Sequence, residues 1–223
     1  MSELKNISDR YERRKSKHTS VTTSSNLFNS YIEAEREAIY EKEIKKRFPL
    51  TDKITILEIG AGTGGNIHFI KRIGFKSSNI FANELLKDRI VALKSNHPDI
   101  TIFEGDATTI NTSIKFDIVF QSTVFTSILD TQFKMQLAKK MMSLVKKNGI
   151  ILWYDFIYDN PANKDVKGIK KIELYKLFET CKTFNFFSVT LAPPIGRRIG
   201  RFYNVLNKLF PFLRTHIIAV IKC

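Results

Sequence analysis

Residues Ile56 to Asn66 read ILEIGAGTGGN, and no other stretch limits the fold as much. An apolar run takes in one acid, Glu58. Glycines come next at 60, 62, 64 and 65, and a helical pattern begins behind them. A buried strand, a glycine turn and a helix start, in that order, form a cradle for a nucleotide-like ligand. Glycine lets the backbone turn sharply and approach a ligand that a Cβ would block. Free N–H groups at the helix start favour a carboxylate or phosphate. The same turn also joins many strands to helices with no ligand, so the spacing of the acids beyond it decides the matter.

A second strand pattern, Asn79 to Glu84, ends in an acid roughly 20 residues past the glycine turn, where a carboxylate can accept from ribose hydroxyls. A third run, Ile100 to Phe103, leads into Glu104, Gly105 and Asp106. An acid there can accept from an exocyclic amine such as the adenine N6. A fourth run, Phe116 to Phe120, has the composition of a buried parallel strand. Taken singly, each acid reads as a surface turn residue. Three acids after three successive strands, in register with the glycine turn, read as a ligand frame.

The residues Glu58-x-Gly60-x-Gly62-x-Gly64, Glu84, Gly105-Asp106 and Leu144 to Leu152 (LVKKNGIIL) resemble the class I S-adenosylmethionine (SAM)-dependent methyltransferases. The resemblance spans about Leu50 to Leu191. It implies an α/β fold: a mostly parallel, Rossmann-like seven-stranded sheet, helices on both faces, and a last strand running antiparallel between the fifth and sixth. It also implies SAM as cofactor, with Glu58, Gly60, Ala61, Gly62, Gly64 and Asn66 among the residues that bind it and the glycines at the methionine part. Glu84 and Leu85 would lie at the ribose, and Gly105, Asp106 and Ala107 at the adenine. Asn148-Gly149 stands where the family has a double glycine, and Asn tolerates the positive φ of such a turn. Asn66 reads as a helix cap. The rival is a dinucleotide-binding dehydrogenase, whose G-x-G-x-x-G spacing the turn also fits. Glu58, just before the first glycine, favours the methyltransferases.

The chain has 223 residues, enough for one domain with a sizeable core. No apolar run reaches the about 18 residues of a membrane-spanning helix. The N-terminus is polar, without a secretory pattern. Cys181 and Cys223 have no metal or redox spacing, so the chain reads as cytoplasmic. Net charge is +14, and Pro161 to Cys223 carries 12 Lys and Arg against 3 Asp and Glu. That imbalance points to an anionic partner: a membrane surface, nucleic acid or a phosphorylated carrier.

Two regions are expected: residues 1–49 as an N-terminal flap and helix, and 50–223 as the SAM-binding domain with an insertion at about 193–213. Met1 to Asn26 reads as mobile or as an irregular flap, and Leu27 to Phe48 as a helix stopped by Pro49. Gln121 and Ser122, after the fourth strand, are expected to line the site. Asp155 and His216 are the candidate general bases for a hydroxyl acceptor. Tyr154 is expected near the cofactor, and Arg197, Arg198, Arg201 and Arg214 near the acceptor. No metal site is expected.

Arg197 to Phe210 (RRIGRFYNVLNKLF) puts Ile199, Phe202, Tyr203, Leu206, Leu209 and Phe210 on one helical face and cations on the other. Such a helix covers its own domain or lies in a membrane interface. Four segments, 121–130, 152–169, 190–197 and 213–216, resemble small bacterial methyltransferases of surface-polysaccharide biosynthesis. That resemblance implies a glycan hydroxyl, on a sugar nucleotide or lipid-linked intermediate, as acceptor, and an enzyme in the cytoplasm or peripheral on the inner membrane. RNA, a quinone or a phospholipid are the alternative acceptors, and a further alternative is that the chain is a non-catalytic interaction protein that retains the fold. Gln121-Ser-Thr-Val124 replaces the Asn/Asp-Pro-Pro-Tyr motif of enzymes that methylate base amines, which disfavours that substrate.

Overall fold

A computed structural model describes residues 2–15, 23–161 and 163–223. Two helices come first, α1 (Glu3–Lys15) and α2 (Thr23–Arg47). Strands and helices then alternate: β1 (Ile56–Ile59), α3 (Gly65–Arg72), β2 (Ile80–Glu84), α4 (Lys87–Asn96), β3 (Thr101–Glu104) and β4 (Phe116–Ser122). They are succeeded by α5 (Thr131–Leu144), β5 (Val145–Phe156), α6 (Lys171–Leu177) and β6 (Thr183–Leu191). Two short helices, α7 (Pro193–Ile199) and α8 (Tyr203–Leu209), precede β7 (Arg214–Lys222).

The strands form one sheet in the order β3-β2-β1-β4-β5-β7-β6. β1 to β5 are parallel, and β7 runs antiparallel between β5 and β6. β1 and β2 are buried along their whole length, as central parallel strands must be when helices cover both faces. One face packs Ile7 of α1, Leu137 and Met141 of α5 and Leu174 of α6. The other packs Tyr40 and Ile44 of α2, Ile67 and Ile70 of α3 and Leu93 of α4. The topology is the one expected, with the start of β7 at the carboxyl ends of the parallel strands. Among the described residues, no helix is long and apolar enough to cross a membrane.

Local chemistry sets the helix ends. The Asp130 side chain caps α5 by accepting from Phe133 N–H at 2.8 Å. Lys45, Lys46 and Arg47 complement the negative end of α2, and Pro49 cannot continue it.

Three expectations change. The described part of the N-terminal flap is an ordered helix, α1, and residues 16–22 lie outside the described residues. Leu4, Ile7 and Tyr11 recur at helical spacing within that charged stretch, and they face the protein. The single amphipathic helix over 197–210 is two short helices, because Gly200 takes φ +50° between them. Cys181 and Cys223, which show no metal or redox spacing in the sequence, form a disulfide. Pairing of Thr183 with Lys222 across β6 and β7 brings the flanking Cys181 and Cys223 together.

Candidate active site

The glycine loop leaves β1 and enters α3 in a conformation few other residues could take. Gly60, Gly62 and Gly64 have φ of +66°, +61° and +95°. A Cβ on Gly60 would lie 2.5 Å from Val124 Cγ2, and one on Gly64 would lie 2.3 Å from the His97 ring. A Cβ on Gly62 would meet nothing within 4 Å, so that glycine faces open space. His97 Nε2 donates to Gly64 O at 3.0 Å, and Ala61 N–H donates to Asn83 O at 2.9 Å. Asn83 also donates to Phe103 O and Gly105 O, both at 3.0 Å, and so fixes the ends of β1, β2 and β3 together.

A cavity of about 120 Å³ opens at those ends. Glu84, Leu85, Gly105, Asp106 and Ala107 line it from the β2 and β3 side. Ser122, Thr123 and Val124 line it after β4, and Leu4, Ile7 and Tyr11 of α1 cover it. α1 is held down by Arg10, which donates to Ser127 O at 3.0 Å, and by Glu3, whose Oε1 accepts from Leu129 N–H at 2.8 Å as well as from Arg10 at 2.6 Å. Thr123 takes φ +59°, a strained conformation for a β-branched residue, with its N–H on Tyr154 O at 2.8 Å.

Glu84 is buried. Its Oε2 accepts from Gly62 N–H at 2.7 Å, and its Oε1 accepts from Leu85 and Leu86 N–H at 2.9 Å each. A carboxylate offers about four lone-pair sites, so one is left for a ligand hydroxyl. Asp106 accepts from Thr108 N–H at 2.8 Å and Thr108 Oγ1 at 2.7 Å, and it is only half-buried.

A second, more open cavity of about 340 Å³ adjoins the first, sharing Arg89 and Ser122. Glu33, Arg36, Ala61, Gly62, Thr63, Gly65 and Asn66 complete its lining. Asn66 is not the helix cap expected: α3 begins at Gly65, and the Asn66 amide donates to Glu58 Oε1 at 2.6 Å. The other Glu58 oxygen, Oε2, is buried without a partner. Burial pushes the Glu58 carboxyl up to about 8, against the pull of Asn66 and of the Arg36 charge. Arg36 has its guanidinium over the Tyr154 ring at 4.8 Å, and its Nε is buried without a hydrogen-bond partner. An unsatisfied carboxyl oxygen just behind the cavity wall and an unsatisfied guanidinium nitrogen in that wall suit the ammonium and carboxylate of an amino acid. The residues present therefore fit the methionine end of SAM here and its adenosyl end in the first cavity.

The remaining candidates divide. Ser122 lines both cavities. Gln121 lines neither; it is fully buried, donating to Tyr154 O at 3.2 Å and accepting from Val124 N–H at 3.0 Å, so it shapes the turn after β4. Asp155 is fully buried and accepts from the Thr126 hydroxyl and from Thr126 N–H at 3.3 Å. Strand alternation is the reason, because Tyr154 and Asp155 must point to opposite faces of the sheet. Asp155 is therefore a buried tie between β5 and the loop after β4, and it lines neither cavity. His216 pairs with Phe156 across β5 and β7 and stacks on Tyr154 at 5.3 Å. Burial and the Arg36 charge lower its pKa to about 4, which keeps the ring neutral. Arg214 donates to Asn207 and to Ser188 O, locking α8 to the sheet. Arg197, Arg198 and Arg201 are exposed and line neither cavity.

Sequence reasoning missed Arg36, Arg89 and Tyr11. For Arg36 a signal existed. Phe28, Ile32, Arg36, Tyr40 and Ile44 fall at steps of four on one face of α2, so Arg36 is a lone cation on an apolar stripe.

Asp155 gives a prediction. Burial raises its carboxyl from 3.8 to about 7. The folded state then holds a proton that the unfolded chain has released, so the stability this residue contributes falls as pH rises from about 4 to about 7 and is level above, while Glu58 adds a separate fall that runs to about 8. Asp155→Asn is expected to flatten that slope, measured as the urea midpoint against pH, while leaving SAM affinity within about twofold. An unchanged slope would contradict the placement.

No family model matches the chain. The curated malonyl-[acyl-carrier protein] O-methyltransferase of Calditerrivibrio nitroreducens is 30% identical over 174 residues, 74% of this chain. The chain spans 64% of that relative's length. Among solved structures, magnesium protoporphyrin IX methyltransferase from Synechocystis, with bound SAM, superposes with a TM-score of 0.64 at 10% identity. It covers 100% of this chain and 98% of its own. A SAM-dependent methyltransferase from Mesorhizobium loti superposes at 0.58 with 13% identity, over 82% of this chain and 96% of its own. With its strand order and glycine loop, the chain has the fold of the class I SAM-dependent methyltransferases.

Proposed function

We propose that this chain is a SAM-dependent methyltransferase acting on an oxygen acceptor. The observation that carries the reading is the pair of joined cavities. Glu84 and Asp106 stand at the enclosed end, and Arg36 and Asn66 line the open end, with the Glu58 carboxyl buried directly behind Asn66. SAM supplies an electrophilic methyl group on a sulfonium. The protein's part is alignment, with Glu84 and Asp106 orienting the adenosyl group and α1 keeping water from it. Glu58 and Arg36 orient the amino-acid end. Glu58 is largely protonated at neutral pH, and a bound ammonium favours its ionised form. SAM binding is therefore expected to release a proton and to strengthen as pH rises towards about 8. Calorimetry in two buffers of different ionisation enthalpy reads this directly; equal apparent enthalpies would contradict it.

The acceptor suggested by the C-terminal resemblance is a glycan hydroxyl on a sugar nucleotide or lipid-linked intermediate. A carboxylate is the second reading, favoured by Arg89, which lines both cavities, and by the name of the curated relative. A carboxylate is already ionised and needs no base, whereas a hydroxyl requires one within reach. Transfer of labelled methyl from SAM to sugar nucleotides, lipid-linked sugars and acyl carboxylates tests both. A product that releases methanol in mild alkali is an ester, and a product that survives is an ether. No transfer to any of them, with no SAM binding, overturns the function.

A further inference from the structure

We propose that the cover formed by residues 193–213 docks this protein onto an anionic lipid surface. The cover has an inner face and an outer face with different chemistry. The inner face is fully engaged. Tyr203 is buried, stacked on Tyr31 at 5.4 Å and edge-on to Phe28 at 5.7 Å. Its hydroxyl donates to Glu35 Oε2 at 3.0 Å, and Asn207 donates to Glu35 Oε1 at 2.7 Å. Gly196 sits so close to Phe28 that a Cβ would meet the ring at 2.3 Å. These contacts fix how the two short helices face the sheet.

The outer face carries Phe202, Val205, Leu209 and Phe212, which are 56%, 55%, 64% and 74% exposed. Packing within the chain does not account for them, because Ile199, Tyr203 and Leu206 supply the cover's buried side. Apolar side chains grouped in this way on adjoining elements mark a surface that meets an apolar phase. Arg198, Arg201 and Lys208 are exposed on the same segment, and the Arg201 guanidinium lies over the Phe202 ring at 5.5 Å. No Asp or Glu occurs after Glu179 in the sequence. Aromatic rings and cations interleaved, with no acid among them, match a bilayer interface. The acyl boundary takes the rings, and anionic headgroups take the cations. An acidic protein would complement the cations but needs a matching apolar surface of its own. The lipid interface supplies both chemistries at once. The break at Gly200 keeps each helix to seven residues, so the cover rests on the surface and does not span it.

The test is co-sedimentation of the full chain with phosphatidylcholine vesicles, with and without phosphatidylglycerol. Binding is expected only with the anionic lipid, and it weakens as salt is raised. Phe202→Glu with Leu209→Glu and Phe212→Glu is expected to reduce the bound fraction at least about tenfold. Arg198→Glu with Arg201→Glu is expected to do so by a similar factor. The triple variant replaces exposed residues only, so its melting temperature and its SAM affinity by calorimetry are expected to be unchanged. That separates failure of the docking surface from failure of the enzymatic reading. Absence of vesicle binding, or equal binding by the triple variant, overturns the proposal. So does retention on an immobilised acidic carrier protein without any binding to vesicles.

Discussion

Gly62→Arg is expected to leave the protein folded and to weaken SAM binding by at least about a hundredfold. The surroundings of that glycine are the reason. A Cβ at Gly62 meets no protein atom within 4 Å, so the new side chain enters the ligand's space and leaves the core alone. The left-handed conformation costs an arginine about 1–2 kcal/mol, a tolerable loss for a domain of this size. The cation then occupies the open cavity beside Arg36 and repels the sulfonium. Gly64 is the contrasting position. There a Cβ strikes the His97 ring at 2.3 Å and Leu93 Cδ1 at 2.9 Å, so even Gly64→Ala is expected to destabilise the fold. Calorimetric titration of SAM, with a thermal melt of each variant, separates the two outcomes. Unchanged affinity in Gly62→Arg would show that the ligand binds elsewhere.

Glu84→Ala is expected to cost stability and cofactor affinity together. Its buried carboxylate is the common acceptor of three backbone N–H groups, those of Gly62, Leu85 and Leu86. Removing it orphans those donors in a buried site, at a cost of about 3 kcal/mol after the loop relaxes. For a chain of this length that is a drop of about 10 °C in melting temperature. The glycine loop loses its side-chain anchor to β2 at the same time, keeping Ala61 N–H on Asn83 O, so SAM affinity is expected to fall about a hundredfold or more. Glu84→Gln is expected to recover part of the stability. Its amide oxygen can still accept from one side, but its NH₂ faces donors on the other. A Glu84→Ala protein that melts normally and binds SAM normally would remove the residue from the site.

Much of this arrangement was legible in the sequence, for physical reasons. Fully buried parallel strands read as short apolar runs, and the positive φ of Gly60, Gly62 and Gly64 admits little else. The acids after β2 and β3 could be placed from that frame. What stayed hidden depended on contacts distant in sequence. α1 reads as a charged, loose segment until Ser127, Leu129 and Asp165 supply partners for Arg10, Glu3, Arg13 and Arg14. Asp155 looked catalytic because it ends a strand at the ligand rim. Only its pairing with Thr126 reveals the face it takes. Gln121 looked like a lining residue for the same reason. The helical periodicity of 197–210 is real, but Gly200 divides it, and periodicity alone does not weigh one glycine's dihedral angle.

The most direct test is a crystal structure with S-adenosylhomocysteine. The expected result has the adenine in the cavity beneath Leu4, Ile7 and Tyr11, with its amine at Asp106. A ribose hydroxyl takes the remaining lone pair of Glu84, and the amino-acid end lies between Glu58 and Arg36. A nucleoside bound outside that cavity, or Glu84 and Asp106 both beyond hydrogen-bond reach of it, would contradict the account.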